Sequence, residues 1–314
     1  MPHINDARYL NQWALEKVQA QNAWEQLARK SGAVPVTVAI VDWGMQKNHR
    51  EFGPGLVVEG ARAIPPPSGS FADDSPNGHG TALAGIIAGL VPEVNLLVVK
   101  FIDGRTTPDA ENAANAIRLA LSRKTGPMVI NASWDVSLDS GSLARAIEEA
   151  RAAGVPVVAG AGNDGRDNDE IRSLPATFVN PDPDADAFSN LISVMASDEE
   201  DKRPDFSNYG RGKVHLAAPG TRIISTATYL GDAPPASPGE PYNPGYSLHS
   251  GTSPATAFVS AAAAMMLSVE PDLTPSQIRN RLVLSADRRN SLKGLCQSEG
   301  RLNLSNALIG LLSL

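Results

Sequence analysis

The chain carries a single cysteine, Cys296, so no internal disulfide can form and nothing argues for an oxidising compartment. Aromatic residues amount to only 5%, so a core must be built mainly from aliphatic side chains. Positive charge is in deficit, 27 Lys and Arg against 34 Asp and Glu, for a net charge of −7. That balance argues against nucleic acid or an anionic membrane as partner. No apolar run reaches the roughly 20 residues of a membrane helix. The N-terminal stretch MPHINDARYLNQWALEKVQ lacks the charged start, apolar segment and small-residue cleavage site of a signal peptide. The expectation is a cytoplasmic protein.

What the chain does have is an alternating pattern. VTVAIVD (36–42), NLLVVKFI (95–102), PMVINAS (127–133), VPVVAGA (155–161) and NLISVMAS (190–197) are apolar runs of buried-strand type. Between and after them lie helical periods at 79–90, 108–123, 141–154, 252–269 and 274–286. The last has Thr274 placed to cap and Pro275 in the first turn. Such alternation predicts one α/β domain over 1–314, a mostly parallel central sheet with helices on both faces. Two stretches rich in proline and glycine, 62–76 and 230–247, read as loops that face a substrate or simply punctuate the chain.

VVAGAGNDG contains a G-x-G-x-x-G pattern, Gly160, Gly162 and Gly165, the spacing of a dinucleotide-binding turn. Such a turn should open an apolar helix. The residues that follow, RDNDEIRSLPA, are polar and aperiodic, and Asp184 and Asp186 stand in no strand end. The chain is therefore expected to need no nucleotide, and no other cofactor is called for.

Polar residues stranded at element ends are more telling. Asp42 ends an apolar strand, where open α/β sheets bind ligands. His79 begins an apolar helix between two glycines, and Ser253 begins another after Gly-Thr. A hydroxyl is a weak nucleophile until a base takes its proton. An imidazole can be that base, and a carboxylate can fix its tautomer and steady the imidazolium.

With these residues in view, the chain resembles the subtilisin-like serine proteases, the subtilases, whose triad runs in the order Asp, His, Ser. QWALEKVQAQNAW (12–24), VAIVDWG, NGHGTALAGIIAG, VINASW, VVAGAGNDG, LPAT, FSNYG, AAPGTRIIST and SGTSPAT follow in family order, so the resemblance runs from about 12 to about 308. It implies a subtilisin-like three-layer fold and a serine endopeptidase with Asp42, His79 and Ser253 as triad. Asn163 would then donate its amide to the oxyanion. Ser133, Trp134 and Asp135 would pair with an extended protein or peptide substrate, beside Gly162 and Asp164. The carboxylates of Asp135 and Asp164 would favour a basic substrate side chain.

Departures from the family pattern set further expectations. Pro254 and Ala257 replace the usual Met and Pro after the serine, which predicts an unkinked helix and a small shift of Ser253. Trp43 replaces the usual hydroxyl residue after Asp42, so its indole N–H is a candidate support for the carboxylate. The short connection AGLVPEVNLLVVK leaves no room for the calcium loop common in relatives, so no metal is expected there. Asp182, Asp184 and Asp186 form at most a weak calcium site. No long pro-segment precedes Gln12, which suggests either a trimmed chain or an intracellular type restrained by its loops or by a regulatory or inhibitory protein partner. The implied activity is acyl-enzyme proteolysis of a restricted set of proteins. The alternatives are a catalytically weak binding protein of the same fold and a peptide ligase or transpeptidase.

Overall fold

The structure is a computed structural model, and it describes residues 12–53, 55–65, 69–104, 107–138, 141–179, 187–229 and 245–309. The second proline-rich stretch (230–244) and the aspartates at 182, 184 and 186 lie outside the described residues.

Eleven strands are formed: β1 (Val36–Asp42), β2 (Val57–Arg62), β3 (Val94–Lys100), β4 (Met128–Ala132), β5 (Val157–Gly160), β6 (Leu191–Ser197), β7 (Leu216–Pro219), β8 (Ile223–Thr226), β9 (Tyr246–His249), β10 (Asp287–Arg288) and β11 (Gly300–Arg301). Among the described residues, eight α-helices accompany them: α1 (Trp13–Lys17), α2 (Ala20–Arg29), α3 (His79–Leu90), α4 (Ala110–Ser122), α5 (Ser142–Ala152), α6 (Thr252–Val269), α7 (Pro275–Ser285) and α8 (Leu304–Leu308). The main sheet runs in the order β10-β11-β7-β6-β5-β4-β1-β3-β2, and only the β10–β11 pair in it is antiparallel. β8 and β9 make a separate antiparallel hairpin.

The central strands β1, β3, β4, β5 and β6 are largely apolar because both faces of the sheet are covered there. Along β1, Val36, Val38 and Ile40 face a core shared with α3 and α6, whereas Ala39 and Val41 face a second core shared with α4 and α5. The five apolar runs and five helical periods read from the sequence all appear, with ends displaced by at most two residues. α6 is 18 residues long and apolar enough to cross a membrane by composition, but 89% of that length is buried inside the protein. It is the core helix of the domain, unbroken from Thr252 to Val269 despite Pro254. That proline stands in the first turn, where its missing N–H would have no intrahelical partner.

The connectivity fixes where a ligand can sit. From β1 the chain moves outward to β2, returns to β3, and then crosses to β4 on the other side of β1. Strand order thus reverses at β1, and the crevice beyond the carboxyl ends of β1 and β4 is the natural binding site. Asp42 ends β1, and Ser133 follows β4.

Candidate active site

β1 delivers Asp42 fully buried at its carboxyl end. α3 starts at His79, whose Nδ1 lies 2.8 Å from Asp42 Oδ1. An ionised carboxylate only accepts, so Nδ1 carries the proton and Nε2 is left as an acceptor. The Trp43 backbone N–H also donates to Asp42 Oδ1, at 2.9 Å. Burial pushes the Asp42 carboxyl above its ordinary range, and the attraction of His79 offsets part of that. Burial presses His79 towards the neutral form, but Asp42 outweighs it and leaves the imidazole above its ordinary value.

Trp43 does not play the part expected of it. Its indole N–H donates to Gly104 O at 3.1 Å, and its ring meets His79 edge-on at 5.3 Å. Among the described residues, Asp42 Oδ2 is buried without a hydrogen-bond partner. With its N–H engaged by Gly104 O, the indole supports Asp42 through no hydrogen bond of its own and packs against the imidazole.

Ser253, the second residue of α6, faces the same space as His79. Its hydroxyl does not reach the imidazole. Oγ donates to Ser133 O at 3.0 Å, and Ser133 Oγ donates back to Ser253 O at 3.2 Å. The expected row of three side chains is therefore formed at Asp42 and His79, with Ser253 beside it and its proton held by β4's extension. Catalytic hydrogen bonds are often loose before substrate binds.

Asn163 follows β5. Its Oδ1 accepts the Thr252 N–H at 2.8 Å, which fixes the amide against the start of α6 with its N–H groups left for other use. The turn that holds Asn163 is shaped by buried Asn208, which accepts from the Asp164 and Arg166 N–H groups and donates to Ala161 O at 3.0 Å. A Cβ on Gly162 would stand 2.4 Å from the Asn208 amide, and its φ of +110° independently favours glycine. No helix follows this turn, so the glycine pattern makes no dinucleotide site.

A cavity of about 210 Å³ is lined by His79, Ser253, Asn163, Gly162, Ser133 and Asp135, among others. Residues 133–135 run along it beyond the last paired residue of β4, with no sheet partner. Trp134 also borders it, but its indole is buried and donates to Val41 O at 2.8 Å, so its side chain serves the core. Asp135 stands exposed on one side; partial burial and then the nearby Asp164 push its carboxyl above the ordinary range. No ion pair to Asp135 or Asp164 is made among the described residues. A second cavity, of about 510 Å³, opens on the other side of His79 and Ser253 and is walled by Pro254, Leu248 and His249. Burial, and next the proximity of His79, lowers the His249 pKa to about 4.

Several of these contributors were not singled out from the sequence. Asn208 sits in FSNYG and His249 in a hairpin, and only assembly brings them to the site. Asp73, in a loop read as facing a substrate or simply punctuating the chain, accepts from the Thr81 N–H at 2.8 Å and caps α3 from outside. Among the described residues, no group of three His, Cys, Asp or Glu side chains could hold a metal ion.

The subtilase family profile matches residues 35–304. The chain is 32% identical over 307 residues to thermitase of Thermoactinomyces vulgaris, covering 95% of each. It is 31% identical over 279 residues to subtilisin Savinase of Lederbergia lenta, covering 86% of this chain and 89% of Savinase. It is 30% identical to the minor extracellular protease Epr of Bacillus subtilis, but spans only 37% of Epr's length. Its fold matches the crystal structure of a cold-adapted subtilisin-like serine proteinase with a TM-score of 0.69 at 27% identity, covering 87% of this chain and 89% of that one. With the family profile spanning most of its length and thermitase 32% identical over 95% of both chains, the chain belongs to the subtilase family of subtilisin-like serine endopeptidases.

Proposed function

We propose that this peptidase works through Ser253 as nucleophile, His79 as base, Asp42 as its orienting carboxylate and Asn163 as oxyanion donor. The observation that carries the reading is the 2.8 Å contact between His79 and Asp42, beside a cavity that Ser253 and Asn163 share. Substrate entry first turns the Ser253 hydroxyl from Ser133 O towards His79 Nε2. Oγ then attacks the peptide carbonyl carbon while its proton passes to Nε2. The oxyanion receives the Asn163 amide and the Ser253 backbone N–H, which has no acceptor within its own helix. The carbon–nitrogen bond breaks, Nε2 returns its proton to the leaving amine, and an acyl ester remains on Ser253. Water repeats the sequence and frees the acid.

The unpaired stretch 133–135 is an edge to which an extended peptide can add as a strand. Asp135 borders the cavity and is repelled by the nearby Asp164, and a substrate ammonium or guanidinium would relieve that repulsion. The proposed substrates are therefore a restricted set of proteins cleaved after Lys or Arg, in the cytoplasm, with a partner protein as restraint. No role for nucleic acid or membrane is proposed.

Labelling with a fluorophosphonate, located by mass spectrometry, tests the nucleophile. Ser253 should carry the label, and Ser253→Ala should carry none. Peptide libraries with Lys or Arg against Phe or Leu before the cleaved bond test the acidic pair; equal rates would end that part. One observation favours a second reading, a weak enzyme that mainly binds peptides: the Ser253 proton is engaged by Ser133 O. Full binding of a peptide without labelling of Ser253 would select it.

A further inference from the structure

Lys100 is one of the most deeply buried side chains of the molecule, and the chemistry above makes no use of it. It ends β3, directly beside Asp42 in the parallel register. Burying an ammonium costs several kcal/mol of hydration unless its donors are satisfied. Here all three are engaged: Nζ donates to Trp43 O at 2.6 Å, Ala72 O at 3.2 Å and Asp74 Oδ1 at 2.5 Å.

Those acceptors belong to the two segments that aim the dyad. Trp43 presents its N–H to Asp42 and the edge of its ring to His79. Between Ala72 and Asp74 lies Asp73, which accepts from the Thr81 N–H and Oγ1 and from the Ser75 N–H and Oγ. Ser75 Oγ in turn accepts the His79 N–H at 2.7 Å. The start of α3 has no cap from its own N-cap residue, Gly78, and these outside groups replace it. The same segments press together elsewhere. Met45 N–H donates to Phe71 O at 2.9 Å, and a Cβ on Gly44 would stand 2.4 Å from that oxygen.

We infer that Lys100 is a positioning residue for catalysis, clamping the turn after Asp42 to the 72–75 loop that holds the start of α3 so that Asp42 and His79 stay aligned. The inference rests on the triad reading above. Near-attack geometry makes it consequential, because a displacement of about 1 Å can cost on the order of a hundredfold in rate.

The test compares wild type with Lys100→Met. Labelling of wild-type Ser253 by the fluorophosphonate first establishes the triad reading separately. Turnover is then expressed per labelled site, which removes any unfolded fraction. The expected result is a fall in kcat of at least about tenfold with KM within about twofold, since only transition-state alignment is lost. The low-field proton resonance of the His79 Nδ1–H should move or broaden. An unchanged kcat per labelled site and an unmoved resonance would overturn the inference, even with a lowered Tm. Should Lys100→Met fail to fold, Asp74→Ala is read in its place, since the Asp74 side chain is 44% exposed and its loss empties no core. It should lower kcat at least threefold at constant KM, and wild-type kcat there would equally overturn the proposal.

Discussion

At the scale of single residues, the site is a set of protons with assigned owners. In the proposed mechanism His79 must be neutral to accept a proton from Ser253, and its pKa lies above the ordinary 6.5 because Asp42 outweighs burial. A base with a raised pKa stays protonated to higher pH, so activity is lost as pH falls through that raised value. The acid limb of kcat/KM against pH should therefore have its midpoint above 6.5, and a midpoint at or below it would contradict the pairing. Asp42→Asn should remove this shift and lower kcat by several orders of magnitude, because an amide can present its N–H to the ring and hold the wrong tautomer. On the proposed mechanism, Asn163→Ala removes one donor from the oxyanion without touching the dyad. The expected loss is roughly 10²–10³ in kcat at similar KM, the range found when subtilisin loses its corresponding donor. Single-turnover acylation of a chromogenic ester measures it directly.

At the scale of elements, α6 joins stability to function. It carries Ser253 at its first turn and fills the centre of the larger core with Phe258, Val259, Met265 and Met266. Phe258→Ala should cost about 3–5 kcal/mol, because a fully buried ring leaves a cavity that packed neighbours only partly refill. Denaturant melts should show that loss while the surviving folded fraction keeps its turnover per labelled serine. The central elements were legible because burial on both faces writes continuous apolar runs. β2 was not, since its outer-edge sequence VVEGAR exposes alternate residues and contains glycine. β7, β8 and β9 are four residues each, too short for a period to register, and α8 is only five. Asp42, His79 and Ser253 stood out in the sequence because they are polar residues where apolar ones belonged. The direction of the Ser253 hydroxyl, the use of the Trp43 indole and the burial of Trp134 were not, because each depends on a partner distant in the chain.

At the scale of the whole molecule, a charge network ties α1 and the segment 287–301 to the region after β6. Asp201 accepts from Arg301 Nε at 2.6 Å and Arg289 Nε at 2.7 Å, while Arg301 also reaches Asp287 at 3.0 Å and the Lys17 carbonyl. Arg301 is almost wholly buried, so removal of one partner leaves a cation with little water to replace it. Burial works to raise the Asp201 carboxyl, but Arg301 and Arg289 outweigh it and hold it below the ordinary 3.8. A carboxyl with a depressed folded-state pKa stabilises above its unfolded value, and that contribution fades as pH falls below 3.8 towards the folded pKa. Asp201→Asn should therefore cost about 3 kcal/mol at neutral pH, the lower end for a broken buried pair because Asp287 remains with Arg301. The stability gap between wild type and variant should shrink in melts taken progressively below pH 3.8. A gap that stays constant through that acid range would mean that the Asp201 charge does not stabilise the fold. The network joins α1 to β10 and β11 at the sheet edge far in strand order from β1. Turnover per labelled Ser253 in the variant should accordingly match wild type at temperatures where both are folded.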